Sequence, residues 1–264
     1  LTMTGSTAAT KVYDGNTAAV VTVGTLSGEV TGEVLGSTAV VGTFNSKDVL
    51  AANTVTAIYT LVNGANGELA SNYSLANDSL ASRITAKDVT ISAGSAAGKV
   101  YDGTTAASVT VGSLTGLVGG EVLGTTAVTG TFNSKDVLSA NTVTAVYTLV
   151  DGANPLHRAS NYNLLNPTEA IATTITAKAL TISVWTPSTV VSKVYNGNRT
   201  ATVNVGALAG LVSGETLGPT TAVGTFLDKN IGTKNVAAVY TLTDGVNPAH
   251  LASNYTLAGE TLTG

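Results

Sequence analysis

The residues of this sequence best suited to chemistry are two histidines and a set of recurring carboxylates. His157 and His250 lie in equivalent loops, each following an Asn-Pro pair, and are expected to be exposed loop residues. One histidine per loop without clustered carboxylates is a poor ligand set for a transition metal. No Ser/His/Asp set recurs in all related segments of the chain, so we expect no catalytic residues and no enzyme.

The carboxylates recur without forming a cluster. Glu33, Glu121 and Glu215 stand in a GE(V/T)LG segment, and Asp48 and Asp136 each follow a lysine. Calcium takes about six to eight oxygen ligands, usually from several neighbouring carboxylates. Because these acids are scattered, we interpret them as turn-capping residues and expect no metal and no cofactor.

The pentapeptide KVYDG occurs at 11–15 and 99–103 and returns as KVYNG at 193–197. Asp-Gly and Asn-Gly tolerate the positive φ of a tight turn, so the motif predicts a strand KVY, a turn, and a following strand. Asp14 corresponds to Asn196, and a catalytic carboxylate would not usually survive as an amide. We therefore interpret the motif as structural.

Four landmarks divide the chain into three copies of one module. Tyr13 recurs as Tyr101 and Tyr195, a spacing of 88 and then 94 residues, which is too long for a solenoid rung of about 20–50 residues. We place the domains at 1–86, 87–177 and 178–264. The signature residues are Tyr13, Asp14, Gly15, Tyr101, Asp102, Gly103, Tyr195, Asn196 and Gly197, then Phe44, Phe132 and Phe226, then Tyr59, Tyr147 and Tyr240, and finally Tyr73, Tyr162 and Tyr255.

Alternating residues indicate strands. In TVTAIYTLV one face carries Val55, Ala57, Tyr59 and Leu61, a period of two that predicts a half-buried strand. The nine Tyr and three Phe divide evenly among the copies, so the rings are expected to be internal anchors and not exposed stacking platforms. Only Trp185 is outside this pattern, and it is expected to pack at the junction between copies two and three.

Bulk composition excludes several classes of protein. A net charge of −4 with 11% charged residues argues against nucleic acid as a partner. No run approaches the ~18 apolar residues of a membrane-spanning helix. Cysteine is absent, so disulfides cannot hold the fold. The start at Leu1 suggests a fragment of a longer protein.

Together these motifs resemble the YDG domain, a repeated module of large bacterial surface proteins of the filamentous haemagglutinin type. The resemblance rests on KVYDG, on GTF followed by a lysine (Lys47, Lys135 and Lys229), on NY(S/N/T)L, and on ITAK at 84–87 and 175–178. The chain departs from the pattern at Asn196 and at the inserts NPLHRA and NPAHLA. The resemblance implies an extracellular stalk or adhesin segment at the bacterial cell surface.

We therefore expect an all-β chain of three tandem domains, each an Ig-like sandwich or a β-grasp-like sheet, arranged end to end as a rod. The expected function is to project a distal binding region from the cell, with flanking repeats of the same chain as partners and a monomeric state. The alternative is a module that binds host or matrix glycan through the variable loops 63–70, 151–159 and 244–252.

The last expectation concerns ITAK, which follows copies one and two but not copy three. If it is the closing strand of each domain, domain three lacks one strand and exposes an unpaired edge. It would then be the least stable copy.

Overall fold

The computed structural model describes residues 1–36, 38–124 and 126–264, and it confirms the all-β class. The helices in this part of the chain are three single 3-10 turns at Ala70–Asn72, Ala159–Asn161 and Ala252–Asn254. Abundant Thr and Val favour this outcome, because β-branched side chains pack well on a pleated surface.

The strands are short and follow the repeats. Repeat 1 contains β1 (Thr2–Thr4), β2 (Thr7–Ala8), β3 (Lys11–Val12), β4 (Ala18–Ala19), β5 (Val21–Thr22), β6 (Thr25–Ser27), β7 (Ala39–Phe44), β8 (Thr54–Thr60), β9 (Asp78–Ala81) and β10 (Ile84–Thr85). Repeat 2 contains β11 (Lys87–Ile91), β12 (Ser95–Ala96), β13 (Lys99–Val100), β14 (Ala106–Ala107), β15 (Val109–Thr110), β16 (Leu114–Thr115), β17 (Ala127–Phe132), β18 (Thr142–Thr148), β19 (Tyr162–Leu164), β20 (Thr168–Ala172) and β21 (Ile175–Thr176). Repeat 3 contains β22 (Lys178–Ile182), β23 (Thr189–Val191), β24 (Thr200–Asn204), β25 (Leu208–Ala209), β26 (Thr221–Phe226), β27 (Asn235–Thr241), β28 (Tyr255–Leu257) and β29 (Glu260–Thr263).

Each repeat is built on an antiparallel sheet. The strand order is β4-β7-β8-β9 in repeat 1, β14-β17-β18-β20 in repeat 2 and β23-β24-β26-β27-β29 in repeat 3. Strand β8 buries Val55, Ala57 and Tyr59 and exposes the residues between them, as its alternation predicts. The pattern recurs in β18 and β27, so each sheet turns one face to a core.

The glycine of GTF allows two strands to approach closely. A Cβ on Gly42 would lie 2.7 Å from the Ala19 carbonyl oxygen and 2.6 Å from Val21 Cγ2. The corresponding contacts recur at Gly130 and Gly224. A side chain at this position would therefore push apart the strand pair that carries the GTF phenylalanine.

The KVYDG motif forms a turn, but not a hairpin. Gly15 has a φ of +83°, and the Asp14 carboxylate accepts a hydrogen bond from the Asn16 amide at 3.1 Å. Strand β3 does not pair with the strand that follows; it pairs in parallel with β10, so Lys11 lies opposite Ile84. The expected order of strand, turn and strand is present, but KVY takes its partner from the ITAK strand and not from the strand after the turn.

The segment ITAKDVTIS therefore serves two repeats. Its β10 completes repeat 1, and its β11 pairs in parallel with β19 and antiparallel with β16, both of repeat 2. The second such segment behaves alike: β21 pairs with β13, and β22 pairs with β25 and β28.

Two compact units result, and their limits differ from those of the sequence repeats. Unit 1 comprises Leu1–Ala93, Val111–Val128 and Tyr147–Pro167, and unit 2 comprises Gly94–Thr110, Thr129–Val146 and Thr168–Gly264. Each unit contains the junction between two consecutive repeats. The domain limits 1–86, 87–177 and 178–264 stay predictions. None of the described helices is long and apolar enough to cross a membrane.

Candidate functional site

A cluster of four polar side chains lies at the junction contained in unit 1. The hydroxyl of Tyr13 donates to Glu121 Oε1 at 2.5 Å, and the hydroxyl of Tyr162 donates to Glu121 Oε2 at 2.7 Å. Lys47 Nζ donates to the Tyr13 hydroxyl at 2.8 Å and to Glu121 Oε1 at 3.2 Å. We call this group the Glu121 clamp. It holds Glu121 and Tyr162 of repeat 2 against Tyr13 and Lys47 of repeat 1.

Local structure places each member of the clamp. Tyr13 follows β3 and is fixed by its amide, which donates to the Thr85 carbonyl of ITAK at 2.8 Å. Lys47 follows the GTF strand β7, Glu121 lies in the loop after β16, and Tyr162 begins β19. The rings of Tyr13 and Tyr162 meet edge to face, with centroids 5.5 Å apart and planes at 79°, a favourable aromatic geometry.

A buried amide adds a second contact beside the clamp. Asn161, from the 3-10 turn before Tyr162, is fully buried. Its Oδ1 accepts from the Val49 amide at 2.9 Å, and its Nδ2 donates to Asp48 Oδ1 at 2.9 Å. Satisfying both ends of a buried amide avoids the penalty of an unpaired polar group.

Burial and charge both act on the clamp. Burial alone would raise the pKa of the Glu121 carboxyl, but hydrogen bonds from Tyr13, Tyr162 and Lys47 lower it below its ordinary value. Burial and the bond to Glu121 raise the pKa values of Tyr13 and Tyr162. Burial opposes the charge of Lys47, yet its bonds to Tyr13 and Glu121 raise its pKa. The clamp is therefore a carboxylate, an ammonium group and two neutral phenols near neutral pH.

Unit 2 repeats this arrangement at the next junction. Glu215 accepts from the hydroxyls of Tyr101 and Tyr255, each at 2.6 Å, and forms an ion pair with Lys135 at 3.7 Å. Asn254 is fully buried and bonds the Val137 amide and Asp136 at 2.9 and 2.8 Å. The two junctions share one design although repeat 3 has diverged in sequence.

The histidines are not free loop residues, which corrects the expectation for them. His157 and His250 are half-buried, and their Nδ1 atoms accept from the amides of Val122 at 3.1 Å and Thr216 at 3.2 Å. Repeat 1 has Glu68 in this place, where backbone hydrogen bonds from Glu68 itself, Asn66 and Val34 lower the pKa of its carboxyl. These residues fix the variable loop against the GE(V/T)LG segment.

Two further expectations about aromatic residues are wrong. Trp185 does not pack at a junction; its side chain is 90% exposed. Tyr195 is 59% exposed, whereas Tyr13 and Tyr101 are each 1% exposed. Glu121 and Tyr162 contact Tyr13, and Glu215 and Tyr255 contact Tyr101 in the same way. Phe226 and Tyr73 are half-buried; apart from these two and Tyr195, the Tyr and Phe residues of the signature are buried.

Sequence reasoning missed the role of the glutamates. Glu121 and Glu215 bind tyrosine hydroxyls across a junction and are not turn caps. One signal was present: the diverged third copy keeps GE, ASNY and the lysine after GTF together. Residues that meet in one clamp are expected to be retained together. Among the described residues, no group of three or more His, Asp or Glu is close enough to hold a metal ion.

Comparison with known proteins identifies the module. The family model of the YDG domain matches the chain three times, at residues 1–80, 85–170 and 176–263. No curated protein and no solved structure matches it significantly. Because the three matches cover nearly the whole chain, the protein belongs to the YDG domain family and consists of three tandem copies of it.

Proposed function

We propose that this chain is a structural stalk segment of an extracellular bacterial adhesin, which holds a distal binding region away from the cell surface and acts as a monomer. One observation carries the proposal. Consecutive repeats share a core, because Leu123 and Tyr162 of repeat 2 are buried in a cluster with Tyr13, Phe44 and Ile84 of repeat 1. An array of repeats that holds a distal region away from the cell surface must resist bending where one repeat meets the next, and a shared core provides that resistance.

The shared core opposes bending at the junction. Moving the repeats apart would expose Tyr13 to water and break the charged hydrogen bonds of Glu121, each of which contributes about 1.5–3 kcal/mol. It would also break the hydrogen bonds that join Asn161 of repeat 2 to Val49 and Asp48 of repeat 1. A junction fixed by a strand and a partly buried ion pair has little of the freedom of a flexible linker.

The variable loops support the stalk over the glycan-binding alternative. The Leu156 carbonyl accepts from Lys47 Nζ at 2.8 Å, and the Ala249 carbonyl accepts from Lys135 Nζ at 2.9 Å. His157, which lies in the same loop as Leu156, accepts a hydrogen bond from the Val122 amide of the GE(V/T)LG segment. These contacts give loops 151–159 and 244–252 a role in holding the junctions together.

Small-angle scattering of the 264-residue chain tests the proposal. Three domains with strands of six to nine residues would form a rod on the order of 100 Å long, with a radius of gyration of roughly 30 Å. A compact globule of this length would have a radius of gyration of roughly 18 Å. A value near the lower figure would contradict a stalk. Glycan-array binding that is lost on changing loop 151–159 would favour the alternative.

A further inference from the structure

Three Asn-Gly dipeptides occur in this chain, at 63–64, 66–67 and 196–197. In such a dipeptide the glycine amide nitrogen can attack the side-chain Cγ of the asparagine, because glycine has no Cβ to hinder the approach and its backbone rotates freely. The ring that forms expels ammonia, and water then opens it to aspartate or isoaspartate. The contacts of each dipeptide in the folded chain determine how readily it reacts.

Asn196 stands where the other two copies have aspartate. Its Oδ1 accepts hydrogen bonds from Lys193 Nζ at 2.9 Å and from the Asn198 amide at 3.2 Å. Asp14, the corresponding residue of repeat 1, accepts the same two bonds from the lysine three residues before it and the amide two residues after it, at 2.8 and 3.1 Å. An aspartate at position 196 therefore fits the same turn.

The two donors to Asn196 Oδ1 contact the atom that becomes negative during the reaction. As the Gly197 nitrogen bonds to Cγ, electrons of the carbonyl double bond move onto Oδ1. Donors already placed at such an oxygen stabilise the transition state. Lys193 is held in place, because its Nζ also donates to Asn198 Oδ1 at 2.6 Å and to the Asn198 carbonyl at 3.1 Å. The same atom lies 5.6 Å from the centre of the Phe226 ring, a cation–π contact.

The attacking nitrogen is accessible. Asn196 and Gly197 are both exposed, and among the described residues none accepts a hydrogen bond from the Gly197 amide. Exposure at this place belongs to the motif itself: the side chains of Asp14 and Asp102 are 46% and 52% exposed, although the next repeat binds the tyrosine before each of them. Water and hydroxide can therefore reach the dipeptide.

The other two Asn-Gly dipeptides lack this combination of contacts. The Gly64 amide donates to the Glu68 carbonyl at 2.9 Å, which holds its nitrogen away from the side chain of Asn63. Asn66 lies beside a carboxylate, since its Nδ2 donates to Glu68 Oε1 at 3.3 Å. A neighbouring negative charge opposes a developing oxyanion. No described residue donates a hydrogen bond to Asn66 Oδ1.

We propose that Asn196 is a site of spontaneous deamidation, promoted by the ammonium group of Lys193, and that its aspartate product turns the third motif from KVYNG into KVYDG. Solvent base takes the proton of the Gly197 amide, and the nitrogen bonds to Cγ. The Cγ–Nδ2 bond then breaks, and Nδ2 leaves as ammonia with a proton from water. One water molecule opens the ring at either carbonyl, so the net reaction consumes one water and releases one ammonia, with nothing oxidised or reduced.

The aspartate product gains the ion pair that Lys11 and Asp14 form at 2.8 Å in repeat 1. The proposal concerns a chemical change within repeat 3 and does not depend on the stalk role.

Peptide mapping by mass spectrometry of the 264-residue chain, incubated at neutral pH, is the readout, because deamidation adds about 1 Da to a peptide. In the folded chain Asn196 should deamidate at least about tenfold faster than Asn63 and several-fold faster than Asn66. In urea the three rates should agree within about threefold, since all three dipeptides are Asn-Gly. A folded-chain rate at Asn66 that equals or exceeds the rate at Asn196 overturns the proposal. The same order of rates in urea as in the folded chain overturns the role of the fold.

Two variants test the role of Lys193. Lys193→Met removes the charged donor and should slow deamidation of Asn196 several-fold, less than the about hundredfold effect of a buried oxyanion donor, because Lys193 is exposed. Lys193→Arg keeps a charged donor and should restore most of the rate. Asn66 is the internal control, and its rate should be the same in both variants. An unchanged or faster rate at Asn196 in Lys193→Met overturns the assigned promotion.

The variant Asn196→Asp tests the product directly. Because the aspartate accepts the hydrogen bonds of the asparagine and gains an ion pair with Lys193, this variant should melt no lower than the unsubstituted chain. A lower melting temperature overturns the fit of an aspartate in this turn.

Discussion

Tyr13 and Glu121 are 108 residues apart in the sequence, yet the phenol hydroxyl donates to the carboxylate at 2.5 Å and fixes one repeat to the next. The same tyrosine of the third motif, Tyr195, is exposed. The tyrosine of the KVY(D/N)G motif is therefore buried in repeat 1 and exposed in repeat 3. The same substitution can be compared at both positions within one chain.

The first prediction compares the hydroxyls of these two tyrosines. Tyr13→Phe removes a hydrogen bond to Glu121 and one from Lys47 inside a buried cluster, so the free energy of unfolding of unit 1 should fall by about 1–3 kcal/mol. Tyr195→Phe should change the free energy of unfolding of unit 2, to which Tyr195 belongs, by less than about 0.5 kcal/mol. Urea denaturation of both variants makes the measurement. Equal effects of the two substitutions would show that the clamp does not stabilise the junction.

The second prediction concerns acid. The pKa of Glu121 is lower in the folded chain than its ordinary value of 4.5, so the folded state binds fewer protons than the unfolded state in this range. The stability that the carboxylate contributes is complete above the ordinary value and is lost as the pH falls through the folded-state pKa. Glu215 behaves alike, since its pKa is also lowered.

Glu121→Gln should therefore flatten the loss of stability below pH ~4.5 and lower stability at neutral pH. Thermal melts from pH 3 to pH 7 supply the measurement. Glu33→Gln is the matched control, because Glu33 lies in the same segment of repeat 1 and accepts from Tyr73 at an open surface. If the melting temperature falls equally steeply with decreasing pH in Glu121→Gln and in the unsubstituted chain, ionisation of Glu121 does not contribute to stability.

The third prediction separates backbone strain from packing. Gly15 and Gly197 both have positive φ, at +83° and +78°. A Cβ on Gly15 would lie 3.0 Å from Val118 Cγ1 of the next repeat, whereas a Cβ on Gly197 would meet no atom within 4 Å. Both alanine variants pay for the left-handed conformation.

Gly15→Ala should therefore cost about 1 kcal/mol more than Gly197→Ala, because only the first variant crowds the junction. Chemical denaturation of the two variants gives the difference. A larger loss of unfolding free energy in Gly197→Ala than in Gly15→Ala would contradict the contact between Gly15 and Val118 of the next repeat.

The fourth prediction concerns the single tryptophan. Trp185 is 90% exposed, so its fluorescence should be close to that of a free tryptophan and be quenched readily by acrylamide. Trp185→Ala should change the free energy of unfolding by less than about 0.5 kcal/mol. Emission shifted to the blue and protected from quenching would restore the sequence-based expectation of a buried ring.

Local pattern predicts much of this fold. The alternation of Val55, Ala57 and Tyr59 gives the strand and its buried face, because a period of two is a property of a few neighbouring residues. Recurrence of whole motifs gives the three copies, which the YDG family matches confirm.

Pairing between distant segments could not be predicted from local pattern. The parallel partner of KVY is ITAK, about 73 residues later. The burial of Tyr13 could not be predicted from its motif either, because the carboxylate that binds its hydroxyl is 108 residues away in the sequence. The histidine contacts were missed because Glu68 and His157 reach similar backbone positions with different chemistry.

The central claim is that Glu121 and Lys47 couple consecutive repeats, and a double-mutant cycle measures that coupling directly. Lys47→Met, Glu121→Gln and the double variant should give a coupling free energy of about 0.5–3 kcal/mol, since the two groups lie 3.2 Å apart in a mostly buried cluster. A Lys47–Glu121 coupling of less than about 0.3 kcal/mol would contradict the account.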